Sequence, residues 1–292
     1  MAKPRELKRR IRSARNTRKI TKTMELVATS KLKRAQDRVV AARPYAAALA
    51  AVIGDLYSPT LAERFALLRQ PPAGVPGTVA LIVITSNRGL CGAFNANLIR
   101  EARRRVTELE RAGAQVDLHL VGKKGIGFFR FARRAIASQR ADIGDRPTAA
   151  HAAELVAPLI AAFSAGALNA VEVVFAKFNS AVSTPPTVLR VLPVTPPAGP
   201  AQGGSAGVNY ILRPSADAIL ERLLPLYVEN QVFRALVETA AAEHGARRTA
   251  MKNATDNAGD LLDVLRRNYN RARQAQITKE IAEVIGGAEA LK

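Results

Sequence analysis

The residues of this chain that could do chemistry are few: one cysteine, three histidines and two glycine-rich turns. Gly89-Leu-Cys-Gly92 and Gly122-Lys-Lys-Gly-Ile-Gly127 each follow an apolar run that reads as a strand, where backbone amides can cradle phosphate. Neither has the spacing of a dinucleotide fingerprint or of a phosphate-binding P-loop, and no Lys-Ser/Thr pair follows the first. Both therefore read as tight turns. Cys91 as a nucleophile would need a nearby base and a depressed pKa, and nothing in the spacing of His119, His151 and His244 supplies one. A small buried thiol is the simpler state. The same residues are too scattered for a metal centre, and no carboxylate pair stands at a catalytic spacing. The expectation is a chain with no catalytic residues, no cofactor and no metal.

The elements around these turns are unusual in length. From about Arg5 to Leu56 only Pro44 and Gly54 interrupt a helical pattern. Ile11, Ile20, Met24, Val27, Leu32, Ala35, Val39, Ala42, Leu49, Val52 and Leu56 recur mostly in steps of three, four or seven. Such a helix would be roughly 75 Å long, with Pro44 a point where it can kink or divide. After Pro214 a second series runs to about Ile285 through Ile219, Leu223, Leu226, Val232, Leu236, Ala240, Met251, Ala254, Leu261, Leu265, Ala272 and Ile281. That helix would span about 105 Å, with Pro225 near its start. Each buries only a narrow stripe, so neither is stable alone. Paired antiparallel, they cover each other, and the longer C-terminal helix must extend past its mate. The small residues Thr255 to Gly259 allow a facing helix to come close; a local break is the alternative. The end from Ile277 to Ala290 is apolar at Ile281, Ala282, Val284 and Ile285, a surface that suits an apolar sleeve better than water.

Between the helices the pattern changes period. Leu61 to Leu68 reads as a short helix, Thr78 to Thr85 as a strand buried on both faces, and Ala93 to Ala112 as a helix closed by Gly113. Gln115 to Val121 is a second strand, followed by a turn and short helix to Arg134, then a helix over Ala149 to Ala165. Val171 to Phe178 and Thr187 to Leu192 are further strands, and Pro193 to Gly207 is a surface loop. Strands alternating with helices predict an α/β fold, Rossmann-like, with a mostly parallel sheet. The resulting division is 1–57 for the N-terminal helix, 58–213 for the α/β domain and 214–292 for the C-terminal helix.

Composition bounds the partners. The 292 residues carry a formal charge of +20, with 48% apolar and 5% aromatic residues and no Trp. Such a chain seeks anionic surfaces: nucleic acid, a membrane face or acidic protein. A coding bias towards Arg is the plainer origin of the charge. The single Cys91 cannot form an internal disulfide, which predicts a reducing compartment. No apolar leader or run of about 18 uninterrupted apolar residues is present, so membrane association is expected only through a partner.

Four stretches carry a family resemblance. Ile20-Thr-Lys-Thr-Met-Glu-Leu-Val-Ala-Thr-Ser-Lys31, Arg88-Gly-Leu-Cys-Gly92, Met251-Lys-Asn-Ala-Thr-Asp-Asn257 and Asn270-Arg-Ala-Arg-Gln-Ala-Gln-Ile-Thr278 resemble the signatures of the gamma subunit of F-type ATP synthase, of the bacterial type. The resemblance runs from about Lys3 to Gly286. It implies a non-catalytic central rotor shaft coupling ion flow through the c-ring to ATP synthesis or hydrolysis, with alpha, beta and epsilon subunits and the c-ring as partners. One copy per complex is implied, peripheral on the cytoplasmic face of the inner membrane. By resemblance Lys22, Met24 and Arg247 would meet a beta-subunit lever loop, and Arg273, Gln274 and Thr278 a second beta-subunit loop. Ile281, Val284, Ile285 and Gly286 would reach the upper bearing. The chloroplast-type insert with its cysteine pair is absent, so thiol control is not expected. A basic coiled-coil protein binding nucleic acid, or serving as a scaffold, is the competing reading, weakened by the scarcity of aromatics for base stacking. A nucleotide-binding enzyme is a third.

Overall fold

The chain runs in the order α1 (Pro4–Leu56), a 3-10 turn (Ala66–Leu68), β1 (Thr78–Ile84), α2 (Phe94–Arg111), β2 (Gln115–Val121) and α3 (Lys123–Phe131). It continues with β3 (Ser138–Arg140), α4 (Ala149–Ser164), β4 (Ala170–Ala176), β5 (Pro186–Leu192) and α5 (Ala216–Glu289). This is a computed structural model, and it describes residues 4–57, 64–70, 77–195 and 215–289. Both terminal helices are continuous, through Pro44 in α1 and through Pro225 and the Thr255 to Gly259 stretch in α5. Of the expected Leu61 to Leu68 helix, only the single 3-10 turn falls among the described residues; 61–63 lie outside them, as does most of the expected Pro193 to Gly207 loop.

The chain divides into two compact units, residues 30–246 and residues 1–29 with 247–292. In the first, five strands lie in the order β3-β2-β1-β4-β5. Thr78 pairs with Gln115 and Val79 with Ala170, all parallel; β5 returns antiparallel along β4. Because strand side chains alternate faces, β1 serves two cores. Ala80, Ile82 and Ile84 pack with α4, with Leu49 and Ile53 of α1 and with Leu224, Val228 and Val232 of α5. Leu81 and Val83 pack with Phe94, Leu98 and Ala102 of α2 and with Ile126 and Phe129 of α3. β3 has only three residues and left no periodicity to read.

One 18-residue stretch of α1 reaches a mean hydropathy of 1.4, by composition enough for a membrane span. Of that stretch 22% is buried inside the chain; Leu49 and Ile53 of α1 belong to the protein core.

In the second unit the two helices form a seam. Leu7, Ala14, Thr21 and Ala28 are buried at intervals of seven, and Leu7 and Ala14 cluster with Leu262 and Leu265. Leu32, Ala35, Val39, Ala46, Leu49 and Ile53 carry the same spacing onward into the other unit. This corrects the expected stripe by one residue. Ile20 and Val27 are exposed, whereas their neighbours Thr21 and Ala28 are buried; on α5, Leu261 is exposed and Leu262 buried. A strict seven-residue repeat holds the seam even where it selects Thr or Ala over a larger apolar neighbour. Across it, Thr255 Oγ1 donates to Thr21 Oγ1 at 2.8 Å, fixing an antiparallel register. A Cβ added at Gly259 would lie 3.7 Å from Arg18 Nε, an ordinary contact, so the arginine of the facing helix packs close by without requiring glycine here.

Candidate partner-binding surface

The two glycine-rich turns come together, Gly89 beside Lys124, and the donors of the second are already used. Gly125 N–H donates to Thr85 Oγ1 at 2.9 Å, Lys124 N–H to the Ser86 carbonyl at 3.1 Å and Lys123 N–H to Asn87 Oδ1 at 3.0 Å. The amides at the start of α3 that would hold a phosphate therefore hold the β1–α2 turn instead. Gly122 is required there: its φ is 96°, and a Cβ would sit 2.1 Å from the Thr85 carbonyl oxygen.

The crevice at the carboxyl ends of the strands, where open α/β sheets bind ligands, lies beside the order reversal at β1 and β4. Here α5 closes it. Thr239 Oγ1 accepts from Ala176 N–H at 3.3 Å and Glu238 Oε2 from Phe178 N–H at 3.2 Å. What remains between Thr85, Asn87, Asp145, Leu236 and Thr239 is a cavity of about 30 Å³, the share of a single water. A nucleotide does not fit.

The remaining chemistry-bearing side chains have structural work. Cys91 is buried, with Asn95 Nδ2 donating to its sulfur at 3.2 Å. His119 Nδ1 meets Ser138 Oγ at 2.7 Å across β2 and β3, and burial lowers its pKa against the weaker pull of Asp117. His151 closes a capping box with Thr148 at the start of α4. His244 lies buried with Nε2 3.9 Å from Asp145 Oδ1. Among the described residues no group of three or more His, Cys, Asp or Glu is arranged for a metal ion.

Sequence reading missed the most deeply buried carboxylate among the described residues. Glu172 on β4 accepts from Arg105 Nε at 2.6 Å and Nη2 at 2.7 Å, and from Arg190 Nη2 at 3.3 Å. Burial alone would raise its pKa, but the two guanidinium groups outweigh this and hold it below the ordinary glutamate value. Arg190 reaches Glu172 from its register partner on the antiparallel strand β5 and Arg105 reaches it from α2, and spacing along one chain carries no such signal.

The other surface of interest belongs to the two helices alone. Of residues 4–29, nine are Lys or Arg and two are Glu, so this stretch of α1 is strongly cationic. Lys22 is exposed and paired with Glu25 at 3.2 Å; Met24 is half-buried beside it. Arg247 is buried on α5. Given the Thr21–Thr255 contact, Met24 and Arg247 lie on the same side of that bond, separated along the axis by roughly 7 Å at 1.5 Å per residue. Past Ala272 the seam ends. Arg273, Gln274 and Thr278 are exposed, with Thr278 Oγ1 donating back to the Gln274 carbonyl at 3.0 Å. Ile277, Ile281, Val284 and Ile285 are exposed as well, at a spacing that puts them on one helical face, and Gly286 follows them in the open. A helix with an uncovered apolar face is built for a partner.

Comparison with known proteins agrees with this layout. The model of the family described as ATP synthase matches residues 3–291. The ATP synthase gamma chain of Gemmatimonas aurantiaca is 64% identical over 292 residues, covering 100% of both chains. Among solved structures, a chain of the Euglena gracilis mitochondrial ATP synthase superposes with a TM-score of 0.66 at 20% identity, covering 99% of this chain and 94% of that one. A chain from the central stalk and c-ring of the Tetrahymena thermophila mitochondrial ATP synthase gives 0.59 at 23% identity, covering 80% and 99%. At those identities the two structures speak for the fold.

Proposed function

We infer the function of this chain from one premise: it belongs to the ATP synthase gamma chain family. It is the central rotor shaft of an F-type ATP synthase, one copy per complex, turning between the alpha-beta hexamer and the membrane c-ring with epsilon beside it. It performs no chemistry itself; the amides of the second turn are engaged by the chain's own atoms, and α5 narrows the crevice to about 30 Å³. As a peripheral subunit it works on the cytoplasmic face of a bacterial inner membrane. Residues 1–57 and 214–292 act as the shaft and 58–213 as the foot.

The observation that carries this reading is the seam of the terminal helices together with the bare end of α5 that follows it. Two wound helices resist twisting better than one. The side chains around the seam differ from face to face, so each beta subunit meets a different surface at each angle. Nucleotide affinity then depends on angle, a coupling of linked equilibria. Lys22, Met24 and Arg247 contact an acidic beta-subunit loop, and Arg273, Gln274 and Thr278 hydrogen-bond another. Exposed pairs worth about 0–1 kcal/mol each attract such loops without locking the rotor. Ile281, Val284, Ile285 and Gly286 run in the apolar upper bearing.

The test is reconstitution with alpha and beta subunits and the membrane sector, with Arg273, Gln274 and Thr278 changed together to alanine. All three are exposed, so the fold is expected to survive. ATP-driven proton pumping should fall more than tenfold relative to ATP hydrolysis. Pumping equal to that of the parent chain refutes the assigned contacts. Failure to assemble with alpha and beta at all refutes the shaft.

A further inference from the structure

We propose that a basic pocket in the 30–246 unit is a binding site for a small phosphate-type oxyanion carrying two or more negative charges. Lys31, Arg34 and Arg38 of α1, His244 of α5, and Asp145 and Arg146 of the loop before α4 line a space of about 160 Å³. That is roughly five times the share of one water in the liquid, room for one tetrahedral oxyanion with part of its hydration shell. It lies below the 300–1,000 Å³ typical of sites for larger ligands.

The charge balance points to the same class. Four permanent cations surround a single carboxylate. Asp145 is already engaged: Lys31 Nζ donates to its Oδ2, Arg38 Nη1 donates to its carbonyl oxygen at 3.3 Å, and His244 Nε2 stands 3.9 Å from Oδ1. Burial opposes ionisation of Asp145, but the Lys31 hydrogen bond and the nearby His244 and Arg88 charges keep it anionic, its pKa below the ordinary value. Asp145 thus holds Lys31 through its carboxylate and Arg38 through its backbone carbonyl, and leaves an excess of positive charge. Arg34 and Arg146 are exposed, and among the described residues neither has an ion-pair partner. Two guanidinium forks beside an ammonium suit an oxyanion with several acceptor oxygens and more than one charge. A lone carboxylate side chain from another protein would neutralise only part of the excess.

The pocket is independent of the rotor reading and is tested on the full-length chain alone. Isothermal titration is run in chloride buffer with inorganic phosphate, with ADP and with acetate, on the parent chain and on R34S/R146S. Both arginines are exposed, and unchanged circular dichroism and melting temperature verify the fold. The expected result is saturable binding of one phosphate per chain, at least tenfold weaker in the double variant, with acetate at least tenfold weaker than phosphate. ADP as tight as phosphate would identify a nucleotide's terminal phosphate as the source; weaker ADP would identify the free ion, and either supports the site. Absence of saturation, equal affinity in parent and variant, or acetate as tight as phosphate overturns it.

Discussion

Replacing Thr21 and Thr255 by valine, singly and together, probes the pairing of the terminal helices at one bond. Both residues are buried, and their hydroxyl oxygens lie 2.8 Å apart. Each also has a second acceptor on its own helix: the Met251 carbonyl lies 2.8 Å from Thr255 Oγ1, and the Arg18 carbonyl 3.1 Å from Thr21 Oγ1. Removing one hydroxyl therefore leaves the other satisfied, and the full desolvation cost of an orphaned group does not arise. What is lost is one neutral hydrogen bond, worth about 1 kcal/mol. Valine keeps the volume and adds apolar contact, which trims the cost of each single change. Because the bond can be lost only once, the double variant should lose about 1 kcal/mol less than the sum of the singles. Urea unfolding of the full chain, followed by circular dichroism, reads this as midpoint shifts of about 0.3–1 M. Strict additivity of the two single effects would mean that these threonines do not face each other, and the antiparallel register would be wrong.

Other perturbations follow from the same contacts. Gly259→Ala should stabilise the chain by about 1 kcal/mol, because alanine is the better helix former and its Cβ meets Arg18 at an ordinary 3.7 Å; a lowered melting temperature would refute the open approach described. Gly122→Ala should leave little folded protein, since its Cβ would sit 2.1 Å from the Thr85 carbonyl oxygen at a φ of 96°; a native melting curve contradicts this. Truncation after Ala272 removes only exposed side chains among those described, so the melting temperature should stay within about 1 °C of the parent, a change too small to signal lost packing. Glu172 has a depressed pKa in the folded chain, so its stabilising contribution is present above about pH 4.3, the unfolded value, and is lost as pH falls through the folded one. Glu172→Gln should cost about 2 kcal/mol at pH 7 by removing the charge that Arg105 faces, since Arg105 keeps Glu108 at 3.2 Å, and should flatten the acid limb of a melting-temperature profile below about pH 5. An acid limb identical to that of the parent removes Glu172 from the account.

Much of the architecture was legible because it rests on periodicity. The strand from Gln115 to Val121 was read with its observed ends, since an apolar run bounded by Gly113 and Gly122 leaves little choice. The long helices were legible for the same reason. The seam was less so: apolar content favours Ile20 and Val27, while the geometry chooses Thr21 and Ala28. Hydropathy ranks side chains, but a seven-residue repeat fixes directions, and where the two disagree the direction prevails. The Asp145 cluster was hidden because it joins residues from α1, α5 and the loop between β3 and α4. The partner contacts proposed for Arg273, Gln274 and Thr278 rest on resemblance; what the structure adds is the exposure of these side chains beyond the end of the seam.

The rotor claim is tested most directly by watching the chain turn. Val182 is 88% exposed and Cys91 is buried, so Val182→Cys offers a single reactive thiol for a bead. With alpha and beta assembled around the chain and the hexamer fixed to glass, saturating ATP should drive the bead stepwise in one direction. ATP hydrolysis by the same assembly with the bead motionless, or wandering without direction, contradicts the account.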